Sequence, residues 1–84
     1  AMQVIKRDGT IVEYNSEKIN VAISKANKEV GKKEKATQEE IDSIIEDIED
    51  LHKRRILVED IQDIIEEKLM EIGRYELAKR YIYI

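Results

Sequence analysis

The chain has no cysteine, no proline, no tryptophan and no phenylalanine, and only three glycines among its 84 residues. Without cysteine it has neither disulfides nor thiolate metal sites. That absence fits a cytoplasmic location, where disulfides are rare. Without proline, no helix is broken from within by a missing N–H. The aromatic content rests on four tyrosines, so the apolar interior must come from aliphatic side chains, mainly isoleucine. No run approaches the roughly 18 consecutive apolar residues of a membrane span, and no signal-peptide pattern opens the sequence, so no membrane partner is expected. The length provides one small core, and a single domain over residues 1–84 is expected. Ala1 ahead of Met2 reads as a cloning scar, with Met2 the native start.

The net charge of −4 is unevenly spread. Residues 1–36 carry eight Lys/Arg against five Asp/Glu, whereas residues 37–84 carry seven against fourteen. A nucleic-acid partner calls for a basic face across the domain. Positive charge confined to the N-terminal part suits a small anionic ligand instead.

The sequence predicts an α+β fold, a small sheet capping a bundle of about four helices. Val4–Arg7 and Thr10–Tyr14 are β-prone runs joined by Asp8-Gly9, the pattern of a two-residue type I′ hairpin. That loop length pairs Arg7 with Thr10, Lys6 with Ile11 and Ile5 with Val12, and turns Ile5 and Val12 to the core. An isolated hairpin is marginal in water, so it must lie as a lid on the helices. Asn15 or Ser16 caps a first helix, whose apolar stripe is Ile19, Ala22, Ile23, Ala26 and Val30, with Gly31 as its stop. Thr37 and Glu40 form a capping-box pattern, followed by Ile41, Ile44, Ile45, Ile48 and Leu51. Residues 54–58 form a short β-branched run suited to a third strand. A third helix from about Glu59 turns Ile61, Ile64, Ile65, Leu69 and Ile72 inward and stops at Gly73. A last helix from about Tyr75 buries Leu77, Ala78, Tyr81 and Ile82.

Catalytic chemistry finds little to work with. No Ser/His/Asp set, nucleophilic cysteine or phosphate-cradling glycine loop is present. His52 has no histidine or cysteine partner and reads as a helix-end surface residue. The acidic groups of the second helix read as a solvated face. Taken alone, Lys6 and Arg7 read first as an edge strand charged against aggregation; a phosphate site of a mobile point charge and a planar fork is the second reading. Lys18 lies in the first turn of a helix, where the macrodipole already favours anions. With the free N–H groups there it makes a reasonable phosphate pocket.

Three stretches carry a family resemblance over most of the chain. They are Val4-Ile5-Lys6-Arg7-Asp8-Gly9, Asn15-Ser16-Glu17-Lys18-Ile19, and Val58-Glu59-Asp60-Ile61-Gln62-Asp63 with Leu69-Met70-Glu71-x-Gly73 and Ala78-Lys79-Arg80-Tyr81-Ile82 after it. In this order and spacing they resemble the ATP-cone, the nucleotide-sensing regulatory domain at the N-terminus of many ribonucleotide reductases. The last stretches look most like the anaerobic (class III) ribonucleoside-triphosphate reductases.

The resemblance implies that Lys6, Arg7, Val12, Asn15, Lys18, Val58 and Gln62 surround an adenine nucleotide, and that no catalytic residue lies in this segment. Val12 stands where several relatives of the aerobic class carry glutamate. Backbone contact or apolar packing against adenine is what remains at that position. Val58 and Gln62 correspond to positions that approach base and sugar. The implied ligands are ATP and dATP as allosteric effectors, with Mg²⁺ escorting the triphosphate and no protein ligand set for a metal. The implied partners are the catalytic body of a parent reductase and another copy of the domain in self-association. Two other readings are a nucleotide-sensing cone of a reductase-gene transcriptional repressor, and a degenerate cone acting as a helical interaction module. The repressor form normally follows a cysteine-rich zinc ribbon, and this chain has no cysteine.

Overall fold

The hairpin forms, with one more residue in its loop than the two-residue turn requires. In the computed structural model, which describes residues 2–83, strand β1 (Gln3–Ile5) pairs antiparallel with β2 (Ile11–Glu13). The register is Gln3 with Glu13, Val4 with Val12 and Ile5 with Ile11. A type I′ turn needs positive φ at both central residues, and only Gly9 has it here (φ +87°). The Gly9 amide donates to the Lys6 carbonyl at 2.9 Å and the Lys6 amide donates to the Thr10 carbonyl at 2.8 Å. The loop is therefore Arg7-Asp8-Gly9, a turn closed by a left-handed glycine. Asp8 Oδ1 accepts from the Thr10 amide at 2.9 Å and fixes the bend.

That single extra residue exchanges the two faces of β1 relative to the two-residue register, while Val12 of β2 stays inward. Val4 and Val12, rather than Ile5 and Val12, share the inner face. Strand β3 (Arg55–Leu57) joins the other side of β1 in parallel, giving the order β2-β1-β3. Val12, Val4 and Ile56 form the row toward the core, with Val4 and Ile56 buried and Val12 partly so. Ile11, Ile5 and Leu57 form the outer row, in which Ile11 and Leu57 remain 44% exposed.

Helix α1 (Ser16–Asn27) is capped by Asn15, whose side chain accepts from the Glu17 amide. It ends before Gly31, which has φ −69° and no left-handed role. The stop comes from Asn27, whose side chain accepts from the Ala36 amide at 2.9 Å and donates to the Ala36 carbonyl at 3.1 Å. Lys35 Nζ adds bonds to the Asn27 and Val30 carbonyls, satisfying acceptors that a helix end leaves free. A 3₁₀ turn (Lys32–Glu34) lies within this loop. Helix α2 (Gln38–Glu49) opens with both halves of the Thr37/Glu40 capping box. Helix α3 (Val58–Glu71) ends at Gly73 (φ +80°). The Gly73 amide donates to the Met70 carbonyl and the Arg74 amide to the Leu69 carbonyl, the paired bonds of a glycine-terminated helix. Helix α4 (Tyr75–Arg80) closes the bundle.

The core lies between sheet and helices. Ile19, Ile23, Ile41, Ile44, Ile48, Ile61, Ile65, Leu69 and Leu77 are all buried. Each such aliphatic side chain contributes roughly 1.5–3 kcal/mol when removed from water. Helix α1 packs on α2 and α4, and α3 packs on α2 and α4. The α+β reading holds, a three-stranded sheet against four helices. Ile82 does not turn inward. Helix α4 stops at Arg80 and Tyr81 is extended (φ −74°, ψ 127°), so residues 81–83 alternate with period two. Tyr81 and Tyr83 are buried, and Ile82 between them is 68% exposed. The reading of Ala1 falls outside the described residues.

Candidate functional site

Two clefts share a lining residue, and one of them lies beside the hairpin turn. One, of about 400 Å³, is lined by Lys6, Arg7, Asp8, Val58, Ile82 and Tyr83. The other, of about 280 Å³, is lined by Asn15, Glu17, Lys18, Val21, Ala22, Lys25 and Ile82. Ile82 belongs to both. The sequence elements that build them lie far apart along the chain: the end of β1 and its turn, one face of α1 from its cap at Asn15 to Lys25 in the last turn, the first residue of α3, and the extended segment after α4.

The register of the hairpin decides what the first cleft contains. The three-residue loop takes Arg7 out of the strand and into the turn, next to Lys6. Both side chains are exposed. Asp8 shares the cleft, with its carboxylate held below the usual range chiefly by the hydrogen bonds from Thr10. Val58, the half-buried first residue of α3, provides an apolar wall.

The second cleft is built on the start of α1. Asn15 caps the helix through its side chain at 3.0 Å to the Glu17 amide, and also faces the cleft. Lys18 and Lys25 add two cationic groups over an apolar floor of Val21 and Ala22. Each cleft thus presents two cationic side chains against one carboxylate. Among the described residues no ion pair engages Lys6, Arg7, Lys18 or Lys25. The charge is therefore free to meet an anion.

Five of the seven residues singled out from the sequence line these clefts: Lys6, Arg7 and Val58 the first, Asn15 and Lys18 the second. Val12 and Gln62 line neither. Val12 lies on the inner face of the sheet and packs against the core. The Gln62 amide is engaged by the backbone after α4. Its Nε2 donates to the Tyr81 carbonyl at 2.9 Å and its Oε1 accepts from the Tyr83 amide at 2.6 Å. Ile82, Tyr83 and Lys25 were missed by sequence reasoning. A period-two pattern over Tyr81-Ile82-Tyr83 was the available signal for the first two, masked by assuming that the helix continued.

A third cleft, lined by Met2, Tyr14, Glu49, His52, Lys53 and Arg54, lies where the two hairpin strands begin and end, away from the turn. The Tyr14 hydroxyl donates to Glu49 Oε2 at 3.1 Å. Burial and that carboxylate push the Tyr14 phenol well above its ordinary pKa. His52 is exposed at the end of α2, in the left-handed region (φ 52°).

Comparison with known proteins gives one family. The sequence pattern of the ATP cone domain matches residues 2–84. The chain is 40% identical to the ribonucleoside-diphosphate reductase subunit alpha of Chlamydia trachomatis, an alignment over 98% of the chain and 9% of that protein. It is likewise 40% identical to the subunit of the same name from Chlamydia pneumoniae, over 94% of the chain and 8% of the relative. With a vitamin B12-dependent ribonucleoside-diphosphate reductase of Thermoplasma acidophilum it shares 39% identity over 81% of the chain and 9% of the relative. The chain spans under a tenth of the length of these relatives. All three are named as diphosphate reductases, and the anaerobic triphosphate type finds no support among them.

Proposed function

The chain belongs to the ATP-cone family, and on that premise we propose that it is the allosteric nucleotide-binding domain of a ribonucleotide reductase, taking ATP and dATP in the clefts beside the hairpin. The observation that carries this reading is the convergence of Lys6, Arg7, Asn15, Lys18 and Val58, from three separate parts of the fold, on two clefts that share Ile82 and whose cations form no ion pair among the described residues. Lys6, Arg7 and Lys18 meet phosphate oxygens. Asn15 and the first amides of α1 add directional polar groups. Val58 and the floor of Val21 and Ala22 offer apolar contact to base and sugar. Val12 and Gln62 support the site from behind, one through the sheet and one through the segment it holds. Mg²⁺ accompanies the triphosphate, bound chiefly by its phosphate oxygens.

The domain performs no chemistry in this reading. Its work is differential affinity: ATP and dATP each favour a different arrangement of the cone against a catalytic body or another copy. One ribose hydroxyl supports a coupling on the order of 1–3 kcal/mol, enough to shift a balanced equilibrium and too little to overturn a strongly biased one. The names of the relatives favour a diphosphate reductase as the parent. The triphosphate type suggested by the Val58–Asp63 and Ala78–Tyr83 stretches rests on that resemblance alone. No helix among the described residues is long and apolar enough to cross a membrane.

Calorimetric titration of the chain with ATP and dATP in the presence of Mg²⁺, with GTP as control, tests the reading. Saturable binding of both adenine nucleotides, weaker by roughly tenfold or more in Lys6→Ala and Arg7→Ala on loss of charge-assisted bonds, is the expected result. Silence toward every nucleotide would leave the chain as a helical interaction module.

A further inference from the structure

Among the described residues the most exposed of the large aliphatic side chains is Ile82, at 68%, and it lines both clefts. An isoleucine held in that position gains little from burial. What holds it is the chain on either side. Tyr81 and Tyr83 are buried, and the Gln62 side chain grips the Tyr81 carbonyl and the Tyr83 amide at 2.9 and 2.6 Å. Gln62 itself sits on α3, anchored by its buried neighbours Ile61 and Ile65. The segment is therefore fixed at both ends and presents one apolar side chain outward between them.

Neither cleft alone is roomy. At about 280 and 400 Å³ they lie below or near the lower end of the ~300–1,000 Å³ range of small-molecule sites. Each is lined by two cationic side chains and by Ile82. Resting on the nucleotide-binding reading above, we propose that Ile82 is a gate within one nucleotide site. Clamped by Gln62 through Tyr81–Tyr83, it divides the site, and a nucleotide that spans Lys6–Arg7 and Asn15–Lys18 must move it. Binding then draws on the Gln62 clamp, so that nucleotide occupancy and the position of residues 81–83 are coupled. A ligand shifts such an equilibrium only by its difference in affinity for the two arrangements. The cost of moving the wedge is taken from the affinity of the intact chain and returned when the wedge is absent.

The test compares the wild-type chain with Ile82→Ala, a truncation at an exposed position that leaves the core untouched. Two quantities are measured: the affinity for Mg–ATP, and hydrogen exchange at the Tyr83 amide with and without nucleotide. The gate predicts that Ile82→Ala binds ATP at least about fivefold more tightly, the low end of ordinary coupling between sites. It also predicts faster exchange of the Tyr83 amide in the nucleotide-bound wild-type chain than in the free chain, with a smaller change in Ile82→Ala. Equal or weaker affinity in Ile82→Ala overturns the gate and leaves nucleotide binding standing, as does a Tyr83 amide that ATP protects or leaves unchanged. Absence of binding by both proteins overturns the nucleotide-binding reading and the gate with it.

Discussion

Arg74 reaches across the molecule to Glu40: its Nη2 lies 3.1 Å from Glu40 Oε2 and 3.4 Å from Oε1. Glu40 Oε1 also accepts from the Thr37 amide as half of the α2 capping box, and Arg74 Nε donates to the Lys35 carbonyl. One carboxylate therefore serves both the start of α2 and the corner between α3 and α4. Glu40→Ala removes both roles and is expected to cost about 1–2 kcal/mol, mostly from the lost cap because the ion pair is partly exposed. In a domain of this size that lowers Tm by roughly 4–8 °C per kcal/mol. Thermal unfolding followed by circular dichroism measures it, and Glu40→Gln, which retains an acceptor for Thr37, is expected to lose less.

Asn27 ends α1 by bonding the Ala36 backbone twice, in a half-buried setting. Asn27→Ala leaves an amide and a carbonyl without these partners, at a cost of about 1–3 kcal/mol. Asn27→Asp keeps only the acceptor and is expected to fall between wild type and alanine. Urea unfolding of the three proteins gives the order.

Gly9 at φ +87° has open space around the position of a Cβ. Gly9→Ala therefore meets no clash, and its cost is conformational, on the order of 1 kcal/mol. Gly9→Asn, which tolerates the left-handed region better, is expected to recover part of it. Equal stability of all three proteins by urea unfolding would show that the hairpin turn is not held in this conformation.

The Asp8 carboxylate accepts from Thr10 and is held below its ordinary range. A depressed folded-state pKa adds stability that is present above the unfolded value of about 3.9 and lost as pH falls through the folded value. The Thr10 amide resonance is expected to titrate below that unfolded value in NMR, and Asp8→Asn removes the titration. The phenols of Tyr14 and Tyr81 move the other way, raised chiefly by burial. Their contribution is full below the unfolded pKa of about 10 and falls as pH rises above it, so stability declines in alkali before these two tyrosines ionise.

Much of this arrangement is legible in the sequence where a local rule decides the matter. The Thr37/Glu40 box, the Asn15 cap, the Gly73 stop and the isoleucine stripes each follow from one residue type at one spacing, and each is present. The hairpin shows the limit. Asp8-Gly9 marks a turn, yet two-residue and three-residue loops share that signature, and the loop length determines whether Ile5 or Val4 faces the core. For the end of α1 the sequence points to Gly31, because Asn27 acts through Ala36, nine residues away, and sequence spacing does not reveal such a bond. In the site, charge and helix position single out Lys6, Arg7 and Lys18. Gln62 looks like an exposed helix polar group, and only the path of residues 81–83 gives it a partner.

The convergence of the two clefts is tested most directly by NMR mapping of ¹⁵N-labelled chain titrated with Mg–ATP. Saturable shifts are expected at Lys6 and Arg7 and, in the same titration with the same midpoint, at Asn15 and Lys18. Little change is expected at His52, Lys53 and Arg54, which line the cleft away from the turn. Shifts centred on that cleft, or on only one side of Ile82, would contradict the convergence.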